Sequence, residues 1–157
     1  MILKGIIDSD TINYKKISMV LEFPYCTFKC DKECGMQVCQ NSKLASASNM
    51  NVSIDYIIQL YLTNPLTEAI VMQGLEPFDS WYELKPFIHE FRKYSNDDIV
   101  IYTGYKEDES FSIVEELLKY KNIIIKFGRF IPNQTPHYDE ILGVKLASNN
   151  QYAKKIC

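Results

Sequence analysis

The chain has little positive charge of the kind that grips phosphate: only Arg92 and Arg129 occur in 157 residues, the lysines are scattered, and the net charge is -3. Without a basic stripe to displace counterions, nucleic acid is not expected as a partner. Long apolar runs are missing as well. Stretches such as residues 99–102 and 123–125 are strand-sized, far short of the roughly 20 residues that cross a bilayer, so no membrane partner is expected. Neither G-x-x-x-x-G-K-[ST] nor G-x-G-x-x-G is present, which leaves phosphate-loop and dinucleotide readings without support. Histidine is limited to His89 and His137. The first sits beside Phe87 and Phe91 on an amphipathic helix pattern, and no spacing gives the second a ligand role. The opening segment MILKGIIDSDTINYKK has no long apolar core and no small-residue cleavage site, so a cytoplasmic setting with reduced thiols is expected.

What the chain does have is a concentration of cysteine. Four of its five cysteines, Cys26, Cys30, Cys34 and Cys39, lie within PYCTFKCDKECGMQVCQNS. Clustered cysteines in small extracellular domains form bridges that replace a core, but 157 residues are enough to bury roughly 70% of the surface an unfolded chain exposes. A metal is not needed merely to fold, and the cluster reads as functional. The fifth cysteine, Cys157, is terminal and reads as a frayed thiol.

Short apolar runs alternate with longer amphipathic ones, the pattern of βα units building a mostly parallel sheet. Strands are predicted over residues 17–23, 69–73, 99–102 and 122–127. A helix capped by Ser53 runs to Leu62 and stops at Asn64-Pro65. Ser80 and Glu83 fit a capping box, and Leu84, Phe87, Ile88 and Phe91 make one apolar face, with Pro86 suggesting a helix that begins later. A third helix is predicted over residues 110–120. The remainder reads as irregular except for an apolar run at 141–147. The expectation is an α/β protein, one domain over residues 1–157, with a partial (β/α) barrel and a mostly parallel sheet. Residues 24–51 form a connection too long for an ordinary βα loop, a length that usually signals function. In such sheets ligands bind at the carboxyl ends of the strands. There the sequence places the cysteine loop, Gly74-Leu75-Glu76-Pro77, Thr103-Gly104-Tyr105 and Gly128-Arg129-Phe130.

These segments, in this order and with the late Ser148-Asn149-Asn150-Gln151, resemble the radical S-adenosylmethionine superfamily, and within it the small activating proteins of anaerobic ribonucleotide reductase. Cys26 to Cys30 matches the first interval of the usual C-x3-C-x2-C. Gly74, Glu76 and Pro77 match a GGEP-type loop with Leu75 for its second glycine, and Thr103-Gly104-Tyr105 matches a TGY segment. Gly128 and Phe130 match DGxF, with Phe127 where the aspartate would stand. The departure is the third cysteine, which the family spacing would put at Glu33. This chain offers Cys34 or Cys39 instead, and the Cys39-Gln40-Asn41-Ser42 context favours Cys39, as if a short insertion had moved the ligand downstream. The aromatic residue that normally follows it is absent.

The resemblance implies a [4Fe-4S] cluster on three cysteines and S-adenosylmethionine on the remaining iron, with Gly74, Glu76, Pro77, Tyr102, Thr103, Gly104 and Asn150 around the cofactor. It further implies an enzyme that generates a 5'-deoxyadenosyl radical, takes its electron from a low-potential donor and acts on a large glycyl-radical enzyme, with no acid–base pair of its own. Two other readings stay open on the residues alone. One is a structural zinc ion held by four thiolates; the other is a non-catalytic Fe-S or zinc-binding regulatory module on the same fold.

Overall fold

Alternation along the central strands decides the architecture. A computed structural model describes all 157 residues. Four parallel neighbours form the middle of a six-stranded sheet: β3 (Ser18–Phe23), β5 (Ala69–Gly74), β6 (Asp98–Tyr102) and β7 (Ile123–Phe127). Successive side chains point to opposite faces of a strand. Leu21, Phe23, Met72, Ile101, Ile125 and Phe127 accordingly enter one buried cluster, while Val20, Val71, Val100 and Ile124 enter another. Burial on both faces is what makes these strands read as continuous apolar runs.

The first cluster is covered by α3 (Ile54–Thr63), α4 (Trp81–Phe91) and α5 (Phe111–Leu117), the helices of the crossovers. In α3 the Ser53 side chain accepts the Tyr56 N–H at 3.1 Å, as predicted. Ser80 makes no such bond. Its expected partner Glu83 instead accepts the Ile2 N–H at 2.8 Å, so the residues of that capping box serve the N-terminal strand. Pro86 lies inside α4, which begins at Trp81 after a 3-10 turn over Pro77–Ser80, and not in the first turn of a later helix. The interior position is tolerated because Leu84, Phe87, Ile88 and Phe91 are all buried against the sheet.

The ends of the chain depart from the sequence expectation. Residues before the first predicted strand form β1 (Ile2–Leu3) and β2 (Gly5–Asp10), and β2 closes one edge of the sheet antiparallel to β3. β1 pairs with β4 (Met50–Asn51), which fastens the far end of the cysteine loop to the body. The stretch read as irregular holds a hairpin, β8 (His137–Asp139) with β9 (Val144–Leu146), and then β10 (Tyr152–Lys155), which closes the other edge antiparallel to β7. Short, half-exposed strands carry too weak an alternation to be read without their partners. The result is a mixed α/β fold with a mostly parallel sheet in a partial β/α arrangement, and its antiparallel edge strands leave it open. No helix is long and apolar enough to cross a membrane.

Candidate functional site

The carboxyl ends of β3, β5, β6 and β7 open into one cavity of about 300 Å³. Its second wall is the cysteine loop, which contains two short helices, α1 (Lys29–Cys34) and α2 (Ser42–Ala45). The backbone turns into α1 at Phe28, which has φ 51°, a left-handed conformation that is uncommon without glycine, and out of it at Gly35 with φ 67°. Hydrogen bonds and a cation–π contact hold this loop against the strand ends. Asp79 accepts the Thr27 N–H at 2.9 Å and the Tyr105 hydroxyl at 2.6 Å. The Lys29 ammonium stands 4.1 Å from the centre of the Tyr105 ring, close enough for a cation–π contact. The Asn41 side chain donates to the Gly74 carbonyl at 2.6 Å.

The loop brings three of its cysteines to the cavity: Cys26, Cys30 and Cys39 line it and Cys34 does not. Burial pushes the Cys26 thiol up to about 12, with Glu76 and Asp79 adding to the effect against the opposing Phe28 N–H. Burial likewise pushes Cys30 up to about 11, reinforced by the adjacent Cys39 and by Asp31. Both are therefore protonated thiols at neutral pH when no metal is bound, and metal binding would release their protons.

Gly74 ends β5 with φ 103°, and a Cβ there would come within 2.6 Å of the Phe23 backbone nitrogen. Only glycine allows the two strands to close at this point. Glu76 follows, 4% exposed, and is almost fully engaged. Its Oε1 accepts the Thr103 hydroxyl at 2.7 Å and the Phe78 N–H at 3.0 Å, and its Oε2 accepts the Gly104 N–H at 2.8 Å. A carboxylate has about four acceptor positions, so roughly one is left for a ligand. Burial raises its pKa to about 7, although these three bonds favour the charged form. Thr103 thus acts on Glu76 and also accepts the Tyr105 N–H at 3.0 Å. The Tyr102 hydroxyl donates to the Asn13 carbonyl at 2.6 Å.

Two predicted cofactor residues stand back from the cavity. Pro77 is buried in the 3-10 turn, and Asn150 supports the wall from behind, donating to the Arg129 carbonyl at 2.8 Å. Gly128 accounts for that placement: with φ 97°, it lets the Asn150 carbonyl approach to where a Cβ would be only 2.9 Å away.

Two cations that were not among the predicted cofactor residues line the cavity: Lys126, which the motifs did not reach, and Arg129, expected at the strand ends but given no role. Lys126 is 7% exposed; burial lowers its pKa to about 8, and its ammonium donates to the Gly128 carbonyl at 2.8 Å. Arg129 is 5% exposed and holds Glu109 through Nη2 at 2.8 Å. Its Nε stands 3.5 Å from Glu33, an ion-pair distance without a hydrogen bond, and neither Nε nor Nη1 has a hydrogen-bond partner. The signal for Lys126 was present in IIIKF: one charged residue in a buried strand, on the face opposite Phe127.

The chain belongs to the family of 4Fe-4S single cluster domains, whose model matches residues 16–152. No curated protein and no solved structure gives a significant match. The residues present fit a cluster. Three thiols on one shared cavity are the donor set that a [4Fe-4S] cluster with one open iron takes.

Proposed function

We propose that this 4Fe-4S protein holds its cluster through Cys26, Cys30 and Cys39, binds S-adenosylmethionine in the adjoining cavity, and serves as a radical-generating activase for a large glycyl-radical enzyme. An anaerobic ribonucleotide reductase is the partner most consistent with the resemblance. The observation that carries the reading is that these three cysteines share one cavity with Gly74, Glu76, Thr103 and Gly104, the residues of the two strand-end motifs. When bound, a cluster with three thiolate ligands supplies an open iron and a low-potential electron, the requirements for reductive cleavage of a sulfonium to a 5'-deoxyadenosyl radical.

The chain's own part is binding and exclusion. The glycine at 74 keeps the wall free of side-chain bulk, and the free acceptor position of Glu76 suits an ammonium group. Arg129 Nη1, which has no partner, and the Lys126 ammonium suit a carboxylate. A zwitterionic amino-acid moiety meets both needs. Burial of Glu76, Thr103, Lys126 and Arg129 keeps water from competing for these groups.

A second reading has its own support. Gln40 replaces the aromatic residue after the third cysteine and Phe127 replaces the motif aspartate, and both changes favour a cluster-binding module without radical chemistry. One experiment separates the two: EPR of the anaerobically reconstituted, dithionite-reduced protein, with and without S-adenosylmethionine. Activase function requires a [4Fe-4S]+ signal whose g-values move on adding the ligand. A cluster signal indifferent to it would support the module. The ligand set is checked separately, with Cys39→Ala expected to abolish cluster assembly and Cys34→Ala to leave iron content near that of the unaltered chain. The reverse pattern would reassign the third ligand.

A further inference from the structure

The eight residues between Cys30 and Cys39 pose a geometrical problem. After Cys30 the chain runs outward along α1, and it must reverse to bring Cys39 back to the same cavity. Gly35, in the left-handed conformation, makes the first turn. The return is fixed by one carboxylate oxygen: Asp31 Oδ1 accepts the Val38 N–H and the Cys39 N–H, each at 2.8 Å. No backbone carbonyl takes either N–H, so this single atom fixes the amide side of the cysteine, while the Cys39 carbonyl accepts only the Ser42 N–H at a longer 3.4 Å. The same oxygen lies 3.8 Å from Cys30 Sγ, so one atom holds the Cys39 amide and stands beside the Cys30 thiol.

Resting on the ligand set proposed above, we infer that Asp31 is a positioning residue for the cluster: its carboxylate folds the insertion back on itself and presents Cys39 beside Cys30. Cys34, on the outward limb, is looped out by the same clasp. The carboxylate also stands next to the thiol pair as a fixed negative charge, which favours the more oxidised state of a bound cluster.

Asp31→Ala removes the acceptor, whereas Asp31→Asn retains an oxygen able to take both N–H groups while removing the charge. In the metal-free protein, iodoacetamide labelling of Cys39, followed by peptide mass spectrometry with Cys157 as internal reference, should speed up about tenfold in Asp31→Ala and stay near the unaltered rate in Asp31→Asn. After anaerobic reconstitution, iron content in Asp31→Ala should fall to that of Cys39→Ala. Asp31→Asn should keep its cluster with a more positive reduction potential, a shift that a merely structural residue would not produce. Metal-free melting temperatures within a few degrees of each other exclude unfolding as the cause. Unchanged labelling and full iron in Asp31→Ala would overturn the inference, as would an Asp31→Asn variant that fails like Asp31→Ala. Should the unaltered chain take up no cluster, the ligand reading fails, while the labelling comparison still decides whether Asp31 holds Cys39.

Discussion

Adjacent residues of β7 lead opposite lives. Phe127 is fully buried in the helix-covered cluster, which gathers apolar side chains from four other strands. Lys126, one residue earlier and on the other face, is nearly as buried, yet it carries a charge into the cavity, where it hydrogen-bonds only the Gly128 carbonyl and stands over the Tyr102 ring. The contrast extends across the sheet. The helix face buries a cluster of 20 apolar residues, whereas the strand ends gather Glu76, Thr103, Lys126 and Arg129 out of water. One region is built for stability. The other accepts buried polar groups that an apolar core would exclude, which is the pattern expected where a ligand completes the bonding.

The sharpest break in that comparison is Phe127→Ala. Truncating a fully buried phenylalanine removes its transfer energy and leaves a cavity, for a loss of about 3–5 kcal/mol in urea unfolding of the metal-free protein. A loss under 1 kcal/mol would mean the helix face is not the stabilising region. Glu76 tests the other region through pH. Its raised pKa of about 7, against an ordinary 4.5, means the folded state holds a proton that the unfolded state has released between those values. Its contribution is complete below about 4.5 and is lost as pH rises through about 7. The difference in unfolding free energy between the original chain and Glu76→Gln should shrink by on the order of 3 kcal/mol across that window. A flat difference would show that Glu76 titrates normally.

The same division explains what could be read in advance. The four parallel strands were legible because burial on both faces leaves long apolar runs, and Ser53 was legible as a cap because its effect is local. The edge strands β2 and β10 were not, since their half-exposed residues take their structure from pairing partners remote in sequence. Gly74, Glu76 and Thr103 were found through motifs, and they meet at one cavity. Asn150 was named too, but a linear motif cannot say whether a side chain faces a ligand or braces the wall behind it. The clasp at Asp31 escaped notice because it joins side chain to backbone across a loop with no periodicity.

Lys126→Met gives the smallest effect and the finest test. The ammonium is held below its ordinary pKa of 10.5, at about 8, because burial penalises the charge. At neutral pH the folded protein therefore keeps this lysine charged at a cost, and methionine removes the cost along with one hydrogen bond to Gly128. The net expectation is a gain of roughly 1–2 kcal/mol at pH 7 in the metal-free protein. That gain fades as pH rises from about 8 towards 10.5, where the lysine becomes neutral in the folded state first and then in the unfolded state. The same substitution should weaken binding of a carboxylate-bearing ligand, measured by titration of the reconstituted protein with S-adenosylmethionine. A variant that is more stable and binds less would show that the cavity face holds its charge for the ligand. A variant that is less stable would mean that Lys126 braces the Gly128 turn, and the two faces of β7 would then differ in chemistry but not in purpose.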